Sequence, residues 1–234
     1  MAQDTGLQNT KLWYLKHIHL FKGLSPAEMQ EMDRITRMQQ FRKRQPIYLT
    51  GEPSTTVYLL KKGRVKLGES DASGKQVTFE ILEAGEIFGE LEVLVGSRRE
   101  TQAEALEDVL ICAIRREDFD RYVREHPDLS VKLTKLIGLR LRKIRSRVED
   151  LVFRDVPARL AHMLLELSQT EGVAESTWIR LRAKLTHQEL ANLIGSTRET
   201  VSHTLGHFRD QGLIRIDGRS IMILDPYRLS RLVS

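Results

Sequence analysis

Two short stretches carry side chains whose types and spacing point to chemistry. The first, TRETVSH at residues 197–203, sets Arg198, Glu199, Ser202 and His203 at offsets of one, three and four. On a helix these offsets gather side chains around one exposed face. An arginine there can donate two hydrogen bonds to guanine O6 and N7, and a glutamate can accept from cytosine N4. The second stretch, GSRRETQA at 96–103, places Arg98 and Arg99 after a glycine turn and follows them with Glu100. Paired guanidinium groups after a turn form a cradle for an anion, whereas a carboxylate in the same loop repels one.

Enzyme and metal chemistry find little foothold. HQEL at 187–190 lacks the second histidine of HExxH, neither GxSxG nor a P-loop is present, and no acid–base pair stands out. His203 and His207 have the i,i+4 spacing of a metal pair but no third ligand, so no metal is expected. The single cysteine, Cys112, excludes an internal disulfide, a four-thiolate zinc site and an iron–sulfur cluster. Its setting in VLICAI reads as a buried strand, which argues against haem ligation with His17 or His19.

At 234 residues, with 41% hydrophobic and 29% charged residues, the chain has an ordinary globular composition and room for two domains. There is no run of about 18 apolar residues and no signal-peptide pattern, so a cytoplasmic protein off the membrane is expected. The net charge of +5 permits a polyanionic partner. Seven lysines and arginines fall between Lys132 and Arg147 with no acidic residue among them.

The elements that must position the two stretches fall into three regions. Residues 1–126 open with a helix start at Ser25-Pro26, with Glu28 close behind. Apolar–polar alternations then run between glycines at 63, 74, 85 and 96, an even spacing of 11 that indicates hairpins in an antiparallel sandwich or roll. Lys61-Lys62-Gly63 is expected to close one hairpin. Residues 127–153 read as one long helix on which Ile137, Leu141, Ile144, Val148 and Leu151 recur at spacings of 4, 3, 4 and 3. That is the seam of a coiled coil, and it predicts a homodimer.

Residues 154–234 restart a helix at Pro157 and, after a polar loop, contain two helix starts in close succession. Thr186 with Glu189 forms one expected capping box and Ser196 with Glu199 a second. Gly195 supplies the turn between them, Ala191 the small residue where two helices cross and Val201 the anchor of the second helix. Gly212 ends that helix, and LIRIDGRSIMILD reads as a two-stranded wing. Together these make a winged helix-turn-helix. The expected fold class is α+β.

With these residues in place the chain resembles the cyclic AMP receptor/FNR (CRP/FNR) family of transcription regulators over nearly its whole length, through GEIFGELEVL, VEDLVFRDVPARLA and TRETVSH. The resemblance implies a cyclic-nucleotide-binding-type β-roll, a dimerisation helix and a winged helix-turn-helix DNA-binding domain. It implies a homodimer on palindromic double-stranded DNA that recruits or blocks RNA polymerase. Arg198 and Glu199 match the family's base-reading pair, Ser202 is like the FNR branch, and His203 stands where most relatives have arginine. Lys184, Thr186 and Thr197 lie where helix starts approach the backbone and are expected to contact phosphates.

For the N-terminal domain the resemblance implies a phosphate cassette of Gly89, Glu90, Arg99 and Thr101, joined by Arg140 and Arg145 on the long helix. Glu100 departs from the family's small residue, and Ile144 and Arg145 replace the pair that reads adenine. The effector therefore stays open between cyclic AMP, another nucleotide or small ligand, and no required cofactor. A cyclic-nucleotide-binding regulatory subunit acting through protein partners is the alternative, and the winged helix-turn-helix argues against it.

Overall fold

The computed structural model describes residue 20 and residues 24–71, 76–175 and 177–233. His17, His19 and Gly74 lie outside them. The chain divides into two compact units, Met1–Leu139 and Arg140–Ser234, and the division falls inside the long helix.

The first unit begins with α1 (Pro26–Ile35), whose start is a complete capping box between Ser25 and Glu28. Eight strands follow: β1 (Thr36–Phe41), β2 (Pro46–Tyr48), β3 (Thr56–Lys62), β4 (Val65–Ser70), β5 (Gln76–Leu82), β6 (Ile87–Phe88), β7 (Gln102–Ala105) and β8 (Val109–Arg115). A short helix α2 (Glu90–Val95) sits between β6 and β7, and α3 (Arg116–Glu125) leads into α4 (Pro127–Phe153). The strands make two four-stranded sheets, ordered β1-β8-β3-β6 and β2-β7-β4-β5.

Alternation along the strands divides the side chains between two cores. Leu60, Val65, Leu82, Phe88, Ala103 and Ile111, drawn from both sheets, fill one. Val57, Leu59, Cys112 and Ile114 face the other way onto Met29, Met32, Phe119, Tyr122 and the first turns of α4 at Leu129 and Leu133. Cys112 is fully buried in β8.

The sandwich is as expected, but its glycines do other work. β3 and β4 are not partners: β3 pairs with β6 and β8, and β4 with β5 and β7. The turn at Gly63 (φ +85°) thus carries the chain from one sheet to the other and closes no hairpin. Gly85 does the same between β5 and β6, and Gly96 caps α2. Most consecutive strands in this unit change sheets, and only β4 and β5 pair directly as a hairpin, so even glycine spacing marks sheet changes as readily as hairpins.

The second unit takes the rest of α4 and adds α5 (Val156–Glu171), β9 (Gly172–Glu175), β10 (Trp178–Leu181), α6 (His187–Ile194), α7 (Arg198–Asp210), β11 (Ile214–Asp217), β12 (Ser220–Ile223) and α8 (Pro226–Ser230). The stretch read as a polar loop after α5 holds β9 and β10, which extend the two-stranded wing to a sheet ordered β11-β12-β10-β9. Leu160, Leu164, Leu190, Val201, Leu205 and Phe208 form its buried interior. At the α4–α5 junction the buried carboxylate of Asp150 takes Arg154 and, at 2.7 Å, His162, while Arg154 Nε donates to the Val233 carbonyl at 3.1 Å. Among the described residues no helix is long and apolar enough to cross a membrane.

Candidate nucleic-acid interface and effector cassette

α6 starts at Thr186, whose hydroxyl accepts from the Glu189 amide at 3.2 Å while the Glu189 carboxylate accepts from the Thr186 amide. The helix stops at Gly195, whose backbone is left-handed at φ +65° and ψ +48°. The amides of Gly195 and Ser196 both close onto the Ala191 carbonyl. Glycine is needed here because a side chain disfavours that conformation by about 1–2 kcal/mol.

The second expected capping box does not form. Thr197, not Ser196, caps α7, accepting from the Thr200 amide at 3.2 Å. The shift of one residue puts Thr200 at the third helical position, so no carboxylate returns to the cap. Glu199 instead stands exposed beside Arg198. α7 buries Val201, Thr204, Leu205 and Phe208 on one side. The opposite side presents Arg198, Glu199 and His203 exposed and Ser202 half-buried. The four expected base-reading residues therefore share the face that the packing leaves outward.

Ser202 is more constrained than its spacing suggests. Its hydroxyl donates to the Arg198 carbonyl at 2.8 Å and lies 2.7 Å from His187 Nδ1. With the hydroxyl proton given to the carbonyl, the serine oxygen accepts from the His187 Nδ1–H. His187, the first residue of α6, thus fixes the orientation of a side chain fifteen positions away, which no local pattern signals. Lys184 and Thr197 are exposed and Thr186 half-buried. Both threonine oxygens accept from amides, and the Thr197 hydroxyl also lies 2.9 Å from the Thr200 hydroxyl, where either can donate. Arg219 stands exposed beside Gly218 (φ +58°) at the tip of the β11–β12 wing, a further cation that the sequence reading passed over.

In the first unit, Gly89 caps α2 in a left-handed conformation (φ +71°), and a Cβ there would lie 2.6 Å from Arg99 Nη1. Arg99 is 2% exposed and Glu90 fully buried. The Arg99 guanidinium donates to the Gly89 carbonyl at 2.7 Å and to the Thr56 carbonyl, and lies 4.3 Å from the Tyr48 ring centre. Thr101 is half-buried. Burial, then the Glu92 charge, lifts the Tyr48 phenol above its ordinary value. Arg98 points elsewhere, donating to the Gly51 carbonyl at 2.7 Å.

Glu100, the expected source of repulsion, has an exposed side chain. The carboxylate that meets Arg99 is that of Glu92, 8% exposed, with Oε2 3.4 Å from Nη1. The sequence reading missed it because a glutamate in a short helix looks like surface. On α4, Arg140 is half-buried, and Arg145 is exposed and paired with Glu149 at 3.0 Å. Of the seam, Ile137 is half-buried, and Leu141, Ile144, Val148 and Leu151 are 65%, 50%, 53% and 53% exposed.

Comparison with known proteins agrees with this geometry. Residues 38–126 match the cyclic nucleotide-binding domain family, and residues 158–232 the Crp-like helix-turn-helix domain family. The chain is 31% identical over 212 residues to a CRP-like cAMP-activated global transcriptional regulator of Mycobacterium tuberculosis, covering 91% of this chain and 95% of that protein. It is 33% identical over 196 residues to the global nitrogen regulator of a Synechocystis strain, covering 83% and 87%. Among solved structures it is similar to a CooA mutant from Carboxydothermus hydrogenoformans, with a TM-score of 0.79, 28% identity and 97% of each chain covered.

Proposed function

The chain belongs to the CRP/FNR family, DNA-binding transcription regulators with an N-terminal sensor domain, and from that premise we propose that it acts as a homodimer on a palindromic DNA site. The carrying observation is the division of α7 into a packed apolar side and an outward polar side. In this reading Arg198, Glu199, Ser202 and His203 contact bases, and Lys184, Thr186 and Thr197 contact phosphates. Residues 1–126 form the effector-type domain, 127–153 the dimerisation helix and 154–234 the DNA-binding domain. The exposed stripe from Leu141 to Leu151 supports the dimer, because four half-exposed apolar side chains in helical register demand cover. The two reading helices then enter successive major grooves about 34 Å apart. RNA polymerase is the expected protein partner and the cytoplasm the compartment. Gly89, Glu90, Arg99 and Thr101 of the first unit form the candidate effector cassette.

In vitro selection of a site followed by fluorescence anisotropy tests the reading. Arg198→Ala is expected to weaken the selected site by about 1–3 kcal/mol and to relax one base position. Lys184→Ala is expected to weaken all sequences alike and to lower the salt slope by about 0.9. A selected site consisting of one asymmetric half, or equal losses for both variants on every sequence, would refute it.

A further inference from the structure

Two strong donors of the cassette, Arg99 Nη1 and the Glu100 amide, are already engaged by a carboxylate of the protein itself. A buried guanidinium and an inward loop amide are the groups an oxyanion takes. Here one carboxylate takes both: Glu92 Oε2 lies 3.4 Å from Arg99 Nη1, and Glu92 Oε1 lies 3.4 Å from the Glu100 amide. Arg99 Nη1 and Nη2 also donate to the Gly89 and Thr56 carbonyls, the Tyr48 ring covers the guanidinium, and only the buried Nε is without a hydrogen-bond partner among the described residues. The backbone that carries this carboxylate is held in place, because the Glu92 carbonyl accepts from the Gly96 and Ser97 amides.

Resting on the reading of the first unit as a sensor domain, we propose that Glu92 is a resident anion occupying the cassette's oxyanion position, so that the domain is held in order without a nucleotide and cyclic nucleotides are shut out. A cyclic phosphate entering this position would bring a second anion to one guanidinium, beside the fully buried Glu90. In so dry a site, like charges a few ångströms apart repel far more strongly than in water. Either the phosphate stays out or Glu92 must be expelled. Glu92 also neutralises the buried guanidinium, which would be strongly unfavourable as an unpaired charge. The anion site and its occupant are parts of one chain, so the signal for this regulator comes through something other than phosphate capture at Arg99.

Isothermal titration of cyclic AMP and cyclic GMP into full-length wild type, Glu92→Ala, Glu92→Gln and the double variant Glu92→Ala/Arg99→Ala tests the proposal. DNA binding is followed in parallel by anisotropy. Wild type is expected to show no nucleotide binding and to hold its DNA equally with and without nucleotide. Glu92→Ala is expected to bind at least one nucleotide about 100-fold more tightly than wild type, about 2.7 kcal/mol, and the double variant to lose that gain. Glu92→Gln keeps the shape and removes the charge, so it is expected to share the gain even where the alanine variant unfolds. Wild-type binding within about tenfold of the variants, or no gain in a folded Glu92→Gln, overturns the proposal and leaves the DNA-binding reading intact. Failure of every form to bind any selected DNA sinks that reading instead, while the calorimetry still decides the role of Glu92.

Discussion

Ile144→Glu tests the proposed dimer separately from the fold. Ile144 lies near the middle of the exposed stripe on α4 and is 50% exposed in the isolated chain. Fully burying such a side chain is worth about 1.5–3 kcal/mol, so covering the exposed half contributes about 1 kcal/mol per protomer. Two symmetry-related copies lose about 2 kcal/mol together. Each glutamate then faces an apolar partner helix with no hydrogen-bond donor, at a cost of about 1–3 kcal/mol per group. The combined loss of about 4–8 kcal/mol raises the dimer dissociation constant by at least about a thousandfold. The monomer is spared, because glutamate is as good a helix former as isoleucine or better and the position faces outward. Sedimentation velocity at micromolar protein reads the association state, and circular dichroism the helix content. Expected are a monomer with unchanged helix content and loss of binding to the palindromic site. An Ile144→Glu protein that stays dimeric at low micromolar concentration would show that the partner helix does not meet α4 along this stripe.

Three further outcomes follow from named contacts. His187→Ala removes the donor that orients Ser202, and affinity for the selected site is expected to fall by about 1 kcal/mol with that for a scrambled duplex unchanged; an equal fall on both would reassign His187 to the phosphate backbone. Gly195→Ala puts a side chain into a left-handed turn, with its Cβ 3.0 Å from Leu151 Cδ2. A destabilisation of about 1–2 kcal/mol is expected in denaturant titration, and a loss below about half of that would mean the turn relaxes. Hydrogen bonds from the side chain and backbone of Ser25, with the His126 charge adding, hold the Glu28 carboxyl below its ordinary value. A carboxyl lowered on folding contributes stability above its unfolded pKa and loses it as the pH falls through the folded value. Glu28→Gln is therefore expected to flatten the acid side of the melting-temperature profile, and an unchanged profile would refute the capping role.

How far the chain could be read follows from the range of each interaction. The long helix, the capping boxes at Ser25 and Thr186, the turn at Gly195 and the outward face of α7 depend on residues within a few positions of one another, and all were legible. The cap of α7 was misplaced by one residue because Ser196 and Thr197 are both good caps, and only the position of Gly195 relative to the packed helices selects the second. The partners of β3 and β4 were misassigned because strand pairing joins distant segments, and a glycine turn looks the same whether the next strand joins the same sheet or the facing one. β9 and β10 were overlooked because each has only four residues and takes its place from strand pairing, β10 against β12 and β9 against β10, more than from its own pattern.

The amino-acid sequence by itself determined the family, the order of the three regions and the outward polar face of α7, since periodicity, caps and turns are local. Only the tertiary structure decided what the side chains of the two functional regions do. It brought His187 onto Ser202, turned Glu100 to solvent and set Glu92 against Arg99 in a buried site. Those contacts depend on how a helix end, a loop and two sheets close upon one another, and side chains of ordinary surface type acquire their chemistry from that closure alone.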